Sequence, residues 1–147
     1  MQSCLPLTDL IVNPTPLVLA EEVSRSVGCE VWVKRDDQTH PRYGGNKVRK
    51  LERLLDDALA RGTTDVVTMG AAGSHHCLAT ALHGTAAGLR VEAVLMPQPG
   101  TAHVVETLRA LAASGAAIHP VTSAAAMPLK ALARVAALRA RGRRPYL

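Results

Sequence analysis

From Val48 onward the apolar residues Leu51, Leu54, Leu55, Ala58 and Leu59 recur at steps of three and four. That spacing places one apolar stripe along a helix, which the sequence predicts to start beside Lys47 and to end near Arg61-Gly62. Downstream, short apolar runs alternate with longer periodic stretches. They read as strand Asp65–Met69, turn Gly70–Gly73, helix His75–Ala87, strand Val91–Met96, helix His103–Ala113, strand Ala116–Val121 and helix Met127–Arg141. Successive strand-helix units of this kind predict an α/β fold with an open parallel sheet and right-handed crossovers. Upstream, a proline-punctuated entry runs to about Leu17, then a helix is expected over Val18–Val27 and a strand over Glu30–Lys34. The closing Arg144-Pro145-Tyr146-Leu147 reads as the start of another strand.

Composition sharpens this picture. The chain has 147 residues, a common size for one domain, and buries about two thirds of its unfolded surface. Hydrophobic residues make up 48% and aromatics only 2%, with no Phe, so the core is built from Ala, Val, Leu and Ile. Such a core suits helices packed on a buried parallel sheet. Cys4, Cys29 and Cys77 lack metal or redox spacing, and Met1–Ala20 has no basic start and is broken by Pro6, Pro14 and Pro16. No secretory leader is read there, and a reducing cytoplasm is the expected setting. No apolar run approaches the roughly 20 residues a membrane helix needs. The net charge of +5 is concentrated in Arg139, Arg141, Arg143 and Arg144, after a predicted helix, where solvated arginines suit the helix dipole. With two Tyr and one Trp there is little stacking surface for single strands, so nucleic acid is not an expected partner.

Candidate chemistry gathers at two loop-to-helix junctions. In Gly44-Gly45-Asn46-Lys47-Val48-Arg49-Lys50-Leu51-Glu52 the glycines permit positive φ and close backbone approach, and Asn46 is a favoured N-cap type. Lys47 then falls in the first helical turn and shares a face with Lys50. Cations there oppose the helix dipole by up to about 1 kcal/mol each, which points to a bound anion. A solvated basic helix start accounts for the same residues. The second junction, Gly70-Ala71-Ala72-Gly73-Ser74, lets backbone N–H groups face a ligand at the carboxyl end of a strand, with Ser74 as cap. Taken alone, the loop reads first as an ordinary βα turn with glycine for tightness and a serine cap. His75 and His76, adjacent at a helix start, point in different directions and make poor joint zinc ligands, with or without Cys77, so no metal is expected. One imidazole is placed to meet a bound ring while the other packs or faces solvent. His83 shares a helix face with His76; His40, His103 and His119 show no pattern. Asp36 and Asp37 read as turn and ion-pair residues. Serine-hydrolase elbow, Walker loop and dinucleotide fingerprint are all missing from the sequence.

Taken together, Val33-Lys34-Arg35-Asp36-Asp37, the lysine nonapeptide and the strand-Gly-x-x-Gly-Ser74 loop resemble the pyridoxal-phosphate enzymes of the tryptophan synthase β-like fold, fold type II. The nearest branch is D-cysteine desulfhydrase and 1-aminocyclopropane-1-carboxylate deaminase. The resemblance runs over essentially the whole chain but over only the N-terminal half of such an enzyme. It implies that Lys47 is the Schiff-base lysine and later a general base, that Lys50 contacts the cofactor phosphate, and that Asn46 and His75 lie beside the cofactor. It also implies that Ser74, with His75 and His76, seats the carboxylate of a small amino-acid substrate. The implied reaction is a lyase or deaminase reaction: β-elimination with release of ammonia and a keto acid, or opening of a cyclopropane ring.

This chain has His75 where the family usually has Asn, which puts the tuning of the cofactor ring and substrate choice in question. The family's later glycine-rich phosphate cup, the group facing the pyridine nitrogen and a downstream tyrosine are absent from it. The resemblance further implies that residues 1–40 join a large domain, that 41–147 form the small α/β domain, and that the large domain itself is missing. Apolar surface is then exposed, and cofactor binding and turnover are weak unless a homodimer mate or a complementing C-terminal chain completes the site. The competing readings are a non-catalytic α/β binding or interaction module with a basic C-terminus, and a nonfunctional fragment.

Overall fold

A computed structural model describes residues 10–147. The elements run β1 (Leu17–Leu19), α1 (Glu21–Val27), β2 (Trp32–Lys34), a 3-10 turn over Asp36–Gln38, α2 (Asn46–Ala60), β3 (Asp65–Ala71), α3 (His75–Ala86), β4 (Arg90–Met96), α4 (Ala102–Ala113), β5 (Ala117–Pro120), α5 (Ala126–Ala140) and β6 (Pro145–Tyr146). Cys4 and the first half of the proline-rich entry lie outside the described residues. Among those described, no helix is long and apolar enough to cross a membrane.

The main sheet is parallel throughout, in the order β5-β4-β3-β6, with Val66 opposite Val91 and Val94 opposite His119. Sequence neighbours are joined by helices because parallel pairing requires a crossover. β4 is buried on both faces, which is why residues 93–96 read as an apolar run rather than an alternation, while the buried Glu92 is paired with Arg134 Nε at 2.8 Å. Its Val91, Ala93 and Leu95 pack with Cys77 and Ala81 of α3 and Leu111 of α4. On the opposite face Val94 and Val67 meet Ala131, Val135 and Leu138 of α5. α2 lays Val48, Leu51 and Leu55 against Val66 of β3 and Ala79 of α3, as its stripe predicts, but Leu54 of the same stripe is 41% exposed. Burying a leucine of this kind contributes roughly 1.5–3 kcal/mol.

The amino-terminal part departs from expectation. Residues 17–19 are a strand, not the start of a helix: Leu17, Val18 and Leu19 pair antiparallel with Lys34, Val33 and Trp32, and the Ala20 N–H donates to the Val31 carbonyl. The helix begins only at Glu21, where Glu21 and Glu22 suit the positive end of the dipole, and it stops at Gly28 with φ 75°. No residue of α1 is buried. Leu17, Val18, Val23, Val27, Trp32 and Val33 are all exposed, the apolar surface anticipated for this segment.

Two further corrections concern charge and capping. Arg143 is not a solvated end residue: its Nε donates to Asp65 Oδ2 at 2.6 Å, and Asp65 is 1% exposed. That ion pair ties the β6 segment to the first residue of β3, whereas Arg139, Arg141 and Arg144 are exposed as expected. Asn46 does not cap α2. The cap is Gly45, with φ 128° and ψ 163° and no side-chain capping bond, so Asn46 is the first helical residue. Gly45 wins because only glycine adopts that backbone conformation without strain.

Candidate functional site

The loop before α2 is held by its own backbone. The Gly45 N–H donates to the Asp36 carbonyl at 2.7 Å and to Thr39 Oγ1 at 2.9 Å, and Thr39 is fully buried. Gly44 is pressed so close that a Cβ there would lie 1.9 Å from the Asp37 carbonyl oxygen. One turn into α2, Arg49 reaches back to Asp36 (Nη2 to Oδ1, 2.6 Å), to Thr15 Oγ1 (3.0 Å) and to Asn13 Oδ1 (3.2 Å). Its hydrogen bond holds the Asp36 carboxyl below the usual range. Asp37 turns the other way to Arg35, at 2.9 and 2.7 Å. The two aspartates are therefore structural ion-pair residues that diverge, as read from the sequence.

This bracing fixes where Lys47 leaves the helix. Lys47 is half-buried and lines a cleft of about 760 Å³ with Tyr43, Gly44, Gly45, Asn46 and His75. Lys34 and both aspartates complete the wall.

The other side comes from the end of β3. Ser74 Oγ accepts the Cys77 N–H at 3.3 Å, so the serine cap of α3 is present. Gly70 has no room for a side chain, since a Cβ would meet Cys77 Sγ and Ser74 Oγ at 2.8 Å. Gly73 donates its N–H to Gln98 Oε1 at 3.2 Å. The turn is therefore pressed between α3 and the segment after β4, and the start of α3 opens at the carboxyl ends of the strands.

The adjacent histidines separate. His75 enters the cleft, with Nδ1 on the Tyr43 hydroxyl and its ring 4.8 Å from that of His103. His76 turns toward α2 into a small apolar space beside Leu51 and Leu55. Burial first, then the charges of Lys47 and Lys50, push its pKa below the ordinary histidine value. So Asn46, Lys47 and His75 share one cleft. Ser74 adjoins it in sequence but caps α3 rather than lining it, and Lys50 and His76 do not line it either. Tyr43 and His103 were missed. Tyr43 immediately precedes the glycine pair, and His103 follows the Thr101 cap of α4 as His75 follows the Ser74 cap of α3. Among the described residues no group of three or more His, Cys, Asp or Glu is disposed to hold a metal.

A family model described as pyridoxal-phosphate dependent enzyme matches residues 8–147. The chain belongs to this pyridoxal-phosphate dependent enzyme family. It is 42% identical over 97% of its length to nocardicin C-9' epimerase of Nocardia uniformis subsp. tsuyamanensis, of which it spans 44%. A putative 1-aminocyclopropane-1-carboxylate deaminase of Pyrococcus abyssi is 47% identical over 61% of the chain, and 27% of that protein is matched. D-cysteine desulfhydrase of Yersinia pestis is 44% identical over 65% of the chain, with 29% of that protein matched. The crystal structure of an ACC deaminase homologue superposes with a TM-score of 0.80 at 33% identity, over 96% of this chain and 43% of that one. The chain thus has the tryptophan synthase β-like α/β fold and spans less than half the length of the relatives it matches.

The cleft's donor set fits the family's cofactor. A phosphorylated pyridine aldehyde requires one positioned primary amine, positive charge for its phosphate and a hydrogen-bond donor for its ring. The cleft itself supplies Lys47 and His75 for the first and last of these, with Lys34 a second cation on its wall; Lys50, one turn along α2, does not line it.

Proposed function

We propose that this chain is the lysine-bearing part of a pyridoxal-phosphate dependent lyase or deaminase acting on a small amino acid, of the D-cysteine desulfhydrase or 1-aminocyclopropane-1-carboxylate deaminase kind. The observation that carries the proposal is Lys47, half-buried on a backbone-locked loop, in the same cleft as the histidine that follows the Ser74 turn. Lys47 would hold the cofactor covalently, and its amine, when free, would take the proton from the reacting carbon. Lys50 would add charge for the phosphate, and Asn46 and His75 would lie beside the ring. Ser74, with the first amides of α3 and flanked by His75 and His76, seats the substrate carboxylate at a helix N-terminus. The cofactor, when bound, withdraws the electron pair left on the substrate carbon. Residues up to about 40 belong with a further domain, and 41–147 form the small domain that carries the lysine.

One observation favours a second reading. In sequence, a relative matched over 97% of the chain is named an epimerase, whereas the deaminase and desulfhydrase relatives named above match over less than two thirds of it. Epimerisation would begin with the same loss of a proton to Lys47 and end with a proton delivered to the opposite face by a second acid, a group other than Lys47.

Borohydride reduction with pyridoxal phosphate, followed by peptide mapping, tests the shared step. The adduct is expected at Lys47 and abolished in Lys47→Ala; labelling spread evenly over surface amines sinks the assignment. Incubating the Lys47-competent protein with candidate amino acids in deuterated water separates the reactions. Exchange with inversion marks an epimerase, and ammonia release marks a lyase or deaminase.

A further inference from the structure

Tyr43, His75 and His103 come from three places, the loop before α2 and the first turns of α3 and α4, and meet at the carboxyl ends of β3 and β4. Tyr43 and His75 line the Lys47 cleft. The Tyr43 ring is anchored from behind, packed against both the α3–β4 core and the α2–β3 core. Its hydroxyl is thereby held on His75 Nδ1. His103 lies along the imidazole, its ring tilted by 33° at 4.8 Å, and so restrains the plane of the His75 ring.

The direction of the Tyr43–His75 bond follows from donor and acceptor strength. A phenol O–H is a stronger donor than an imidazole N–H, and the bare nitrogen of an imidazole is a stronger acceptor than a phenol oxygen. Burial raises the Tyr43 pKa, which keeps the phenol proton on oxygen at neutral pH. The phenol therefore donates and Nδ1 accepts. In a neutral imidazole with Nδ1 as acceptor, the hydrogen must sit on Nε2.

We propose that Tyr43 is a positioning residue that fixes His75 as the Nε2–H tautomer, making His75 a neutral hydrogen-bond donor to the phenolic oxygen of the ligand held at Lys47. This rests on the proposed function, with Tyr43 and the tautomer added to it. A histidine free to exchange tautomers would present a lone pair to that oxygen for part of the time, and two like electron pairs repel. Fixing the tautomer removes that state, so one hydroxyl outside the reaction sets the character of a group inside it.

The test uses the full 147-residue chain. Nitrogen-15 NMR of the cofactor-free protein is expected to show His75 with bare Nδ1 and protonated Nε2. Tyr43→Phe keeps the ring that packs on both cores and is expected to convert His75 to a mixture of tautomers. Pyridoxal phosphate affinity, read by absorbance, is expected to fall roughly three- to tenfold in Tyr43→Phe and His75→Leu, the size of one hydrogen bond. His75→Asn, which offers a neutral donor, stays within about threefold of the parent protein, and 3-deoxypyridoxal 5'-phosphate, which lacks the oxygen, binds all four proteins alike. An Nδ1–H tautomer in the parent protein, an unchanged tautomer in Tyr43→Phe, or an equal loss with the deoxy analogue overturns the proposal. A parent protein that shows the Nε2–H tautomer yet gives no Lys47 adduct refutes the functional reading, with Tyr43 still shown to set His75.

Discussion

At the scale of single residues, the position of Lys47 depends on a contact that has no side chain in it. Gly44 lies against the Asp37 carbonyl, and that carbonyl cannot swing aside because the adjacent Asp36 carbonyl is bonded to the Gly45 N–H at 2.7 Å. Gly44→Ala must therefore push the loop away from the Asp36–Gln38 turn. The expected destabilisation is about 1–3 kcal/mol, typical of overpacking, with selective labelling of Lys47 lost. Gly88→Ala serves as the comparator: it also adds a methyl group, in open space but at φ 80°, so it bears only the backbone cost of a left-handed residue. Urea unfolding reads the stabilities and borohydride trapping reads the lysine. If Gly44→Ala labels at Lys47 as the parent does, the loop is not what places the amine.

At the scale of elements, α3 supports the lysine loop through His83. His83 is 1% exposed, its Nε2–H donates to the Tyr43 carbonyl at 3.0 Å, and the His40 ring meets it edge-on at 4.6 Å. Burial is the largest influence lowering the His83 pKa, with the charges of His40 and Arg42 adding to it and the Tyr43 bond opposing it. The native value lies below the ordinary 6.5, so on acidification the unfolded chain takes up its proton first. Stability is therefore fully present above about pH 6.5 and declines below it, by at most about 1.4 kcal/mol per pH unit for one group. His40, His76 and His119 have lowered values too and add to the slope. His83→Gln keeps an amide donor for Tyr43 but cannot titrate, so its stability is expected to fall less steeply between pH 6.5 and 5; an identical slope would remove His83 from this role. Such couplings also mark what the sequence could show. The α2 stripe, the strand-helix succession and the two loop-to-helix junctions were legible because each depends on local spacing. β1 was not, because Leu17–Leu19 becomes a strand only by pairing with residues 32–34 while its neighbours to Val27 favour a helix. Tyr43 with His75, 32 positions apart, and Arg143 with Asp65, 78 apart, are products of the fold and leave no periodic trace. Asn46 misled because cap preference speaks for side chains, and here a glycine backbone ends the loop.

At the scale of the whole molecule, the core and the amino-terminal part differ in kind. β3 and β4 are enclosed by helices on both faces, whereas β1 and β2 form a two-stranded sheet with Leu17 59% and Trp32 51% exposed. A two-stranded sheet with open apolar faces is marginal alone, and its hydrophobic surface gains free energy from any partner that covers it. The chain spans 44% of the Nocardia relative, and within these 147 residues the β1–β2 surface stays uncovered. The cleft that holds the Lys47 amine is lined by Lys34 of β2 as well. On the proposed function, this chain alone is expected to bind pyridoxal phosphate weakly, and covering the β1–β2 surface is expected to strengthen the binding. Trp32 is the single tryptophan and stands on that surface, so its fluorescence reports the event directly. Adding a polypeptide that corresponds to the remainder of the Nocardia relative is expected to shift Trp32 emission to the blue and to tighten pyridoxal phosphate binding at least about tenfold, with the Lys47 adduct unchanged in position. A blue shift without tighter binding would show that the surface is a docking site independent of the cleft. Tight binding by the 147-residue chain before anything is added would show that the cleft is already complete.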